Sequence, residues 1–240
     1  MLETELTKQI EHTHPDIKQN DLPEISLTAL ILGLILGIFI TLVKKFKFIG
    51  LPLNIIFLCL FHFLEFYITA KYNPTQVTTN SYIIRNGNEY TVATLFSIFE
   101  CIITTYYFNK NRNLTLKLQI IMVLGMLMAI TGQVFRSLAM ITCGKSFNHI
   151  VQSTKKGDHQ LITSGIYQLS RHPSYFGYFY WSIGCQLMCL NFVSAIVFTV
   201  VLWNFFNKRI QLEEKYLFNF FGKDYKTFKH QVWVGIPFIN

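Results

Sequence analysis

Ile25-Ser26-Leu27-Thr28-Ala29-Leu30-Ile31-Leu32-Gly33-Leu34-Ile35-Leu36-Gly37-Ile38-Phe39-Ile40-Thr41-Leu42-Val43 contains no charged side chain. Coiled as a helix, it is long enough to span the roughly 30 Å hydrocarbon layer of a bilayer. The blocks Leu51 to Ala70, Tyr90 to Phe108 and Leu116 to Ile141 repeat the pattern, each with one or two ionisable residues near its end or inside it. Tyr175 to Phe206 is also free of charge. As one helix it would be about 48 Å long, well over the hydrocarbon thickness, so the sequence predicts a break near Asn191 and a hairpin of two arms of about 24 Å each. From Asn207 onward the chain is polar-rich and should leave the membrane. The expected fold is an all-α polytopic integral membrane protein with about six transmembrane helices, including a C-terminal helical hairpin.

Composition supports this class. Of 240 residues, 51% are hydrophobic and only 14% charged, outside the range of a soluble globular domain. The net charge of +8 comes from Lys and Arg residues placed between apolar blocks rather than along a continuous stripe, so no nucleic-acid partner is expected. Cys59, Cys101, Cys143, Cys185 and Cys189 are odd in number and form no C-x-x-C pair, which indicates neither a disulfide framework nor a zinc site. No G-x-G-x-x-G follows a strand-like run, which excludes a soluble Rossmann-type enzyme. Residues 1–24 are polar, contain Pro15 and Pro23, and read as a cytosolic tail rather than a cleaved signal peptide, leaving 25–240 as the membrane domain. Six crossings place fourteen Lys and Arg residues on the side of both termini and six on the other, so the larger group should be cytoplasmic.

Polar groups concentrate in Ser146-Phe147-Asn148-His149-Ile150-Val151-Gln152, in His159 to Tyr167, and in Arg171-His172-Pro173-Ser174-Tyr175-Phe176-Gly177. Pro173 suits the first turn of a helix, whose free N–H groups can bind a carboxylate or phosphate beside Tyr167, His172 and Tyr175. The same residue types also collect as a plain interfacial belt. Beyond the hairpin, Arg209 and Glu213 share a helix face at i, i+4, a spacing equally suited to a site or to a surface salt bridge. Charges inside a span are costly, so His62, Glu65, Glu100 and Arg136 should pair between helices; their spacing offers too few ligands for a metal. Gly33-x-x-x-Gly37 would permit close helix approach and a homodimer.

These segments together resemble the isoprenylcysteine carboxyl methyltransferase family, most closely its fungal members. The resemblance rests on Phe61-His62-Phe63-Leu64-Glu65, Gly132-Gln133, Ser146-Phe147-Asn148-His149, Arg171-His172-Pro173-Ser174-Tyr175, Glu213-Glu214-Lys215-Tyr216 and Gly235-Ile236-Pro237-Phe238-Ile239. The Arg171 to Tyr175 motif alone is weak, because sterol reductases and phospholipid methyltransferases of membranes carry similar ones. The combination is specific.

The resemblance implies methyl transfer from S-adenosylmethionine to the C-terminal carboxylate of a prenylated cysteine, in CaaX-processed proteins such as Ras-type GTPases and mating pheromone. It implies a site within residues 142–240 facing the cytosol at the endoplasmic reticulum membrane. By the same resemblance, Gln152, His159, Gln160, Leu161, Ile162, Tyr167, His172, Pro173, Ser174 and Tyr175 contact the cofactor, Glu213 closes that pocket and Arg209 binds the substrate, with Arg209 and Glu213 as the catalytic pair. The alternatives are an NADPH-dependent membrane sterol reductase and a non-enzymatic lipid-binding protein.

Overall fold

A computed structural model describes residues 21–111, 113–155 and 160–240. Among these residues the regular structure is entirely helical. The helices are α1 (Leu22–Leu42), α2 (Gly50–Tyr72), α3 (Asn88–Asn111), α4 (Leu116–Cys143), α5 (Pro173–Met188), α6 (Phe192–Phe221) and α7 (Lys223–Gln231). Helix α1 starts ahead of its apolar block because Asp21 accepts the Glu24 N–H at 3.1 Å and Pro23 occupies the first turn. Helices α1 to α4 and α6 are long and apolar enough to cross a membrane. The remaining hairpin arm, α5, has 16 residues, or about 24 Å.

The expected break lies between α5 and α6. Leu190 adopts φ 55°, the left-handed conformation that ends a helix, and Asn191 starts the next one. The Asn191 amide donates to the Gln186 side chain and to the Ser97 carbonyl, both at 3.1 Å, so the turn is tied to α3. The second arm differs from the expected length: at 30 residues, about 45 Å, α6 continues well past Phe206. Nothing in the stretch after Asn207 breaks a helix before Gly222, where φ is 53°. Arg209 and Glu213 therefore lie on a rigid helix.

Contacts at the ends of the bundle alternate as the apolar blocks require. At one end Tyr82 donates to the Ile25 carbonyl (3.1 Å) and Asn73 to the Phe147 carbonyl (2.8 Å). At the other, Phe48 N–H bonds Asn109 (2.9 Å) and the Cys189 thiol lies 3.3 Å from the Gly50 carbonyl. The hairpin turn thus reaches the end of the bundle opposite to Asn73 and Phe147.

Helices α4 and α5 form the tightest pair, and glycine permits the approach. A methyl group on Gly177 would lie 2.6 Å from the Gly132 carbonyl and 2.5 Å from Arg136 N, and one on Gly184 2.5 Å from Ala129 N. By contrast, a methyl group on Gly33 or Gly37 would meet nothing within 4 Å, so that motif serves no contact among the described residues. Large apolar side chains on α1, α3, α4 and α6, such as Leu30, Leu34, Phe99, Leu124 and Val200, point outward, as expected where lipid is the solvent.

The charges inside the spans are all accounted for. Glu65 and Arg136 pair across α2 and α4, at 2.7 Å and 2.9 Å. His62 bonds instead to the Tyr82 carbonyl (2.8 Å) and the Tyr90 hydroxyl (3.2 Å). Glu100 has a capping role: its oxygens accept Val193 N–H (3.0 Å), Ser194 N–H (2.7 Å) and the Ser194 hydroxyl (2.5 Å) at the start of α6. A carboxylate there satisfies orphan amides and the positive helix end. Glu100→Ala should therefore lower stability by about 1–2 kcal/mol. This would appear as a reduced thermal midpoint of the purified protein in detergent; an unchanged midpoint would contradict the capping role.

Candidate active site

Helix α5 starts inside the bundle, at the level of Glu65. Pro173 occupies the first turn, and Arg136 from α4 donates to both the hydroxyl and the carbonyl of Ser174. The chain leading into this turn is held by the C-terminal segment. Arg171 N–H bonds the Trp233 carbonyl (3.0 Å), Arg171 Nη1 the Val232 carbonyl (2.9 Å), and the Ser170 hydroxyl the Val234 carbonyl (2.7 Å). The first turn offers fewer free donors than its sequence implies, because Tyr175 and Phe176 N–H both return to the His172 carbonyl at 3.0 Å.

Beside this turn lies a cleft with about 690 Å³ of empty space, its open mouth included. Gln160, Leu161, Ile162, Tyr167, His172, Pro173, Ser174, Tyr175 and Glu213 line it. Gln152 lies off this lining, with its amide bonded to the Ile150 carbonyl at 3.2 Å. His159 falls outside the described residues.

Arg209 and Glu213 do not form the simple salt bridge that their spacing allows; Tyr175 stands between them. Its hydroxyl donates to Glu213 Oε2 at 2.5 Å and accepts from Arg209 Nε at 2.9 Å. The guanidinium also donates to the His149 carbonyl at 2.5 Å and lies over the rings of Tyr175 (5.4 Å) and Phe205 (5.7 Å). Phe205 is half exposed on the flank of α6; Arg209 lies off the cleft's lining, reached from it through Tyr175, on the side of this apolar flank. The His172 ring stacks on Tyr175 with centroids 5.5 Å apart and 7° between planes.

Sequence reasoning passed over the residue that organises this region. Glu214, largely buried, receives Arg171 Nε (2.6 Å), Lys229 Nζ (2.5 Å) and approaches His172 Nε2 (3.3 Å). It thereby joins α6, α7 and the start of α5. The signal available was its place in the Glu213-Glu214-Lys215-Tyr216 motif. Arg171, Phe147 and Asn148 also line the cleft and stood inside quoted motifs, whereas Cys143, Leu217, Tyr225 and Phe228 were not singled out. Leu217 follows Glu213 by one helical turn, and Tyr225 and Phe228 form the apolar face of an otherwise polar α7. Burial raises the Tyr167 phenol well above the ordinary tyrosine range, and burial with the field of Glu214 raises Tyr225 likewise, so both stay protonated at neutral pH.

This arrangement defines a polytopic helical membrane protein with a polar ligand cleft at the inner end of a recessed helix. The model of the isoprenylcysteine carboxyl methyltransferase family matches residues 123–219. The chain is 48% identical to the protein-S-isoprenylcysteine O-methyltransferase of Saccharomyces cerevisiae, over 95% of this chain and 97% of that protein. It is 40% identical to the protein of that name from Tribolium castaneum, over 90% of this chain and 76% of the other. A solved structure of a eukaryotic intramembrane Ras methyltransferase superposes with a TM-score of 0.81 at 38% identity, covering 90% of this chain and 77% of that one. The chain belongs to the isoprenylcysteine carboxyl methyltransferase family. The likenesses lend no support to the reductase alternative.

Proposed function

We propose that the chain transfers a methyl group from S-adenosylmethionine to the C-terminal carboxylate of prenylated cysteine in CaaX-processed proteins. The observation that carries this reading is the continuous set Arg209, Tyr175, Glu213 and His172, which joins a cation just outside the cleft, on its apolar flank, to an acid that lines it.

The residues of the cleft fit the donor. Arg171 Nη2 is a buried donor without a hydrogen-bond partner, and Arg171 lines the cleft, where a ligand carboxylate would satisfy it. Glu213 offers an acceptor to the ligand's ammonium group, and Leu161, Ile162 and Leu217 offer apolar wall. When bound, the cofactor supplies an electrophilic methyl group on a sulfonium. In this reading Gln160, Leu161, Ile162, Tyr167, His172 to Tyr175 and Glu213 surround it; Gln152 and His159 are kept from the family resemblance.

No general base is required. An α-carboxyl group ionises near pH 3.5, so the nucleophile is already a carboxylate at neutral pH. Its attack converts two opposite charges into a neutral ester and a neutral thioether, a change favoured where water is excluded. The protein's task is alignment. The planar fork of Arg209 can hold both carboxylate oxygens, while Tyr175 and His149 fix the plane of the fork. With Phe205 beside Arg209 on the lipid side, the prenyl chain reaches the site from the bilayer, and its burial adds affinity at about 0.8 kcal/mol per CH₂.

The same reading places about six crossings in the endoplasmic reticulum membrane, with residues 1–24 and the active site within the catalytic part 142–240 facing the cytosol. It leaves the open Gly33 and Gly37 face available to a second copy. Radiolabelled methyl transfer tests the activity: a base-labile ester should form on N-acetyl-S-farnesylcysteine and not on N-acetylcysteine. Equal labelling of both would remove prenyl recognition from the account.

A further inference from the structure

We infer that the buried Glu65–Arg136 pair positions the Arg209 guanidinium through His149, so that Glu65 and His149 are positioning residues for the acceptor; this rests on the reading of Arg209 as the acceptor's carboxylate ligand. The pair is expensive where it lies. Glu65 is 1% and Arg136 7% exposed, inside helices that cross the membrane, and such a pair is often no more stabilising than well-packed apolar residues of the same volume. The α4–α5 packing beside it is already secured by Gly132, Gly177 and Gly184. The pair itself joins α2 to α4, which well-packed apolar residues could do as well, so holding those helices together does not account for its charges.

What the pair supplies is a fixed anchor for the loop after α4. Glu65 Oε2 is shared between Arg136 Nη2 (2.9 Å) and His149 Nε2 (3.0 Å). His149 lies in a segment without regular secondary structure, so its backbone has no helical ladder to hold it. Its ring is fixed by Glu65 on one side and by the edge of Phe147 at 5.1 Å. The carbonyl of the same residue accepts Arg209 Nη2 at 2.5 Å. Together with Tyr175 at Nε, that carbonyl sets the plane of the guanidinium. The carboxylate buried in the bundle thus determines, through one side chain and its own carbonyl, how the Arg209 fork is presented. Because the His149 side chain is 27% exposed, its removal opens no sealed core cavity.

The test is a double-mutant cycle on purified protein, with acceptor and donor saturation curves and the thermal midpoint measured for each variant. His149→Ala should lower kcat/KM for farnesylcysteine by about tenfold with the donor constant within about twofold of wild type. His149→Gln, whose amide N–H can reach Glu65, should recover most of the loss. His149→Ala combined with Arg209→Lys should be no worse than Arg209→Lys alone, since both act on one contact. Additive losses, unchanged acceptor kinetics in His149→Ala, or a loss shared with the donor constant and the midpoint would each overturn the positioning role. If instead Arg209→Lys itself left acceptor turnover intact, the assignment of Arg209 would fall, and this inference with it.

Discussion

Glu65→Ala should cost the protein about 3–5 kcal/mol of stability. The variant leaves Arg136, 7% exposed in the interior of α4, without its carboxylate partner. No water is at hand in the hydrocarbon to replace it, and the guanidinium does not give up its proton. The remaining contacts of Arg136, to Ser174 at the start of α5, would be pulled out of place, so the cleft should loosen as well. The expected readout is loss of most folded protein after extraction into detergent, seen as early elution and a collapsed thermal midpoint. Replacing both members by apolar residues of similar volume, Glu65→Leu with Arg136→Met, should restore much of the folded fraction without restoring acceptor turnover. A Glu65→Ala protein as stable as wild type would show that the pair carries no stabilising burden at all.

Arg209→Lys should reduce prenylcysteine turnover by at least about tenfold, the equivalent of 1.4 kcal/mol at the transition state. Lysine keeps the charge but not the planar fork, so it cannot hold both carboxylate oxygens while also meeting Tyr175 and His149. The stacked contacts over Tyr175 and Phe205 weaken too, and the acceptor carboxylate gains freedom where alignment with the methyl group matters most. The donor side, separated from Arg209 by Tyr175 and Glu213, should be little affected.

Much of the fold is legible because lipid imposes one simple demand, long charge-free helices. Ile25 to Val43 could be little else, and the excess length of Tyr175 to Phe206 called for the break that Leu190 and Asn191 make. The reach of α6 to Phe221 was not legible in full, since the charged stretch Lys208 to Lys215 separates Tyr216 to Phe221 from the apolar block that marks the span, and tertiary contacts such as that of Glu214 with Arg171 hold it. Glycine shows the same limit. Gly33 and Gly37 have the spacing of a packing motif, yet a methyl group on either would meet nothing within 4 Å among the described residues, while the close approach uses Gly132, Gly177 and Gly184, two of which lie on a different helix from the first.

The site follows a similar division. Gln160, Leu161, Ile162, Tyr167, His172 to Tyr175 and Glu213 could be assembled from local motifs and a family resemblance, and they do share one cleft. The role of Tyr175 between Arg209 and Glu213, the hub at Glu214 and the docking of Val232 to Val234 on the loop depend on contacts between residues some 34 to 64 positions apart, which no local pattern encodes.

Paired saturation curves for Arg209→Lys and His172→Ala measure directly whether the acceptor and donor sites are separate. His172 stacks on Tyr175 and lines the cleft proposed for the donor, so its removal should mainly weaken S-adenosylmethionine binding, with much of the rate recovered at saturating donor. Arg209→Lys should show the opposite pattern, a donor constant near wild type and a turnover on farnesylcysteine that no donor concentration restores. Normal turnover with weakened donor binding in Arg209→Lys would contradict the account, because the guanidinium would then belong to the cofactor and not to the substrate carboxylate.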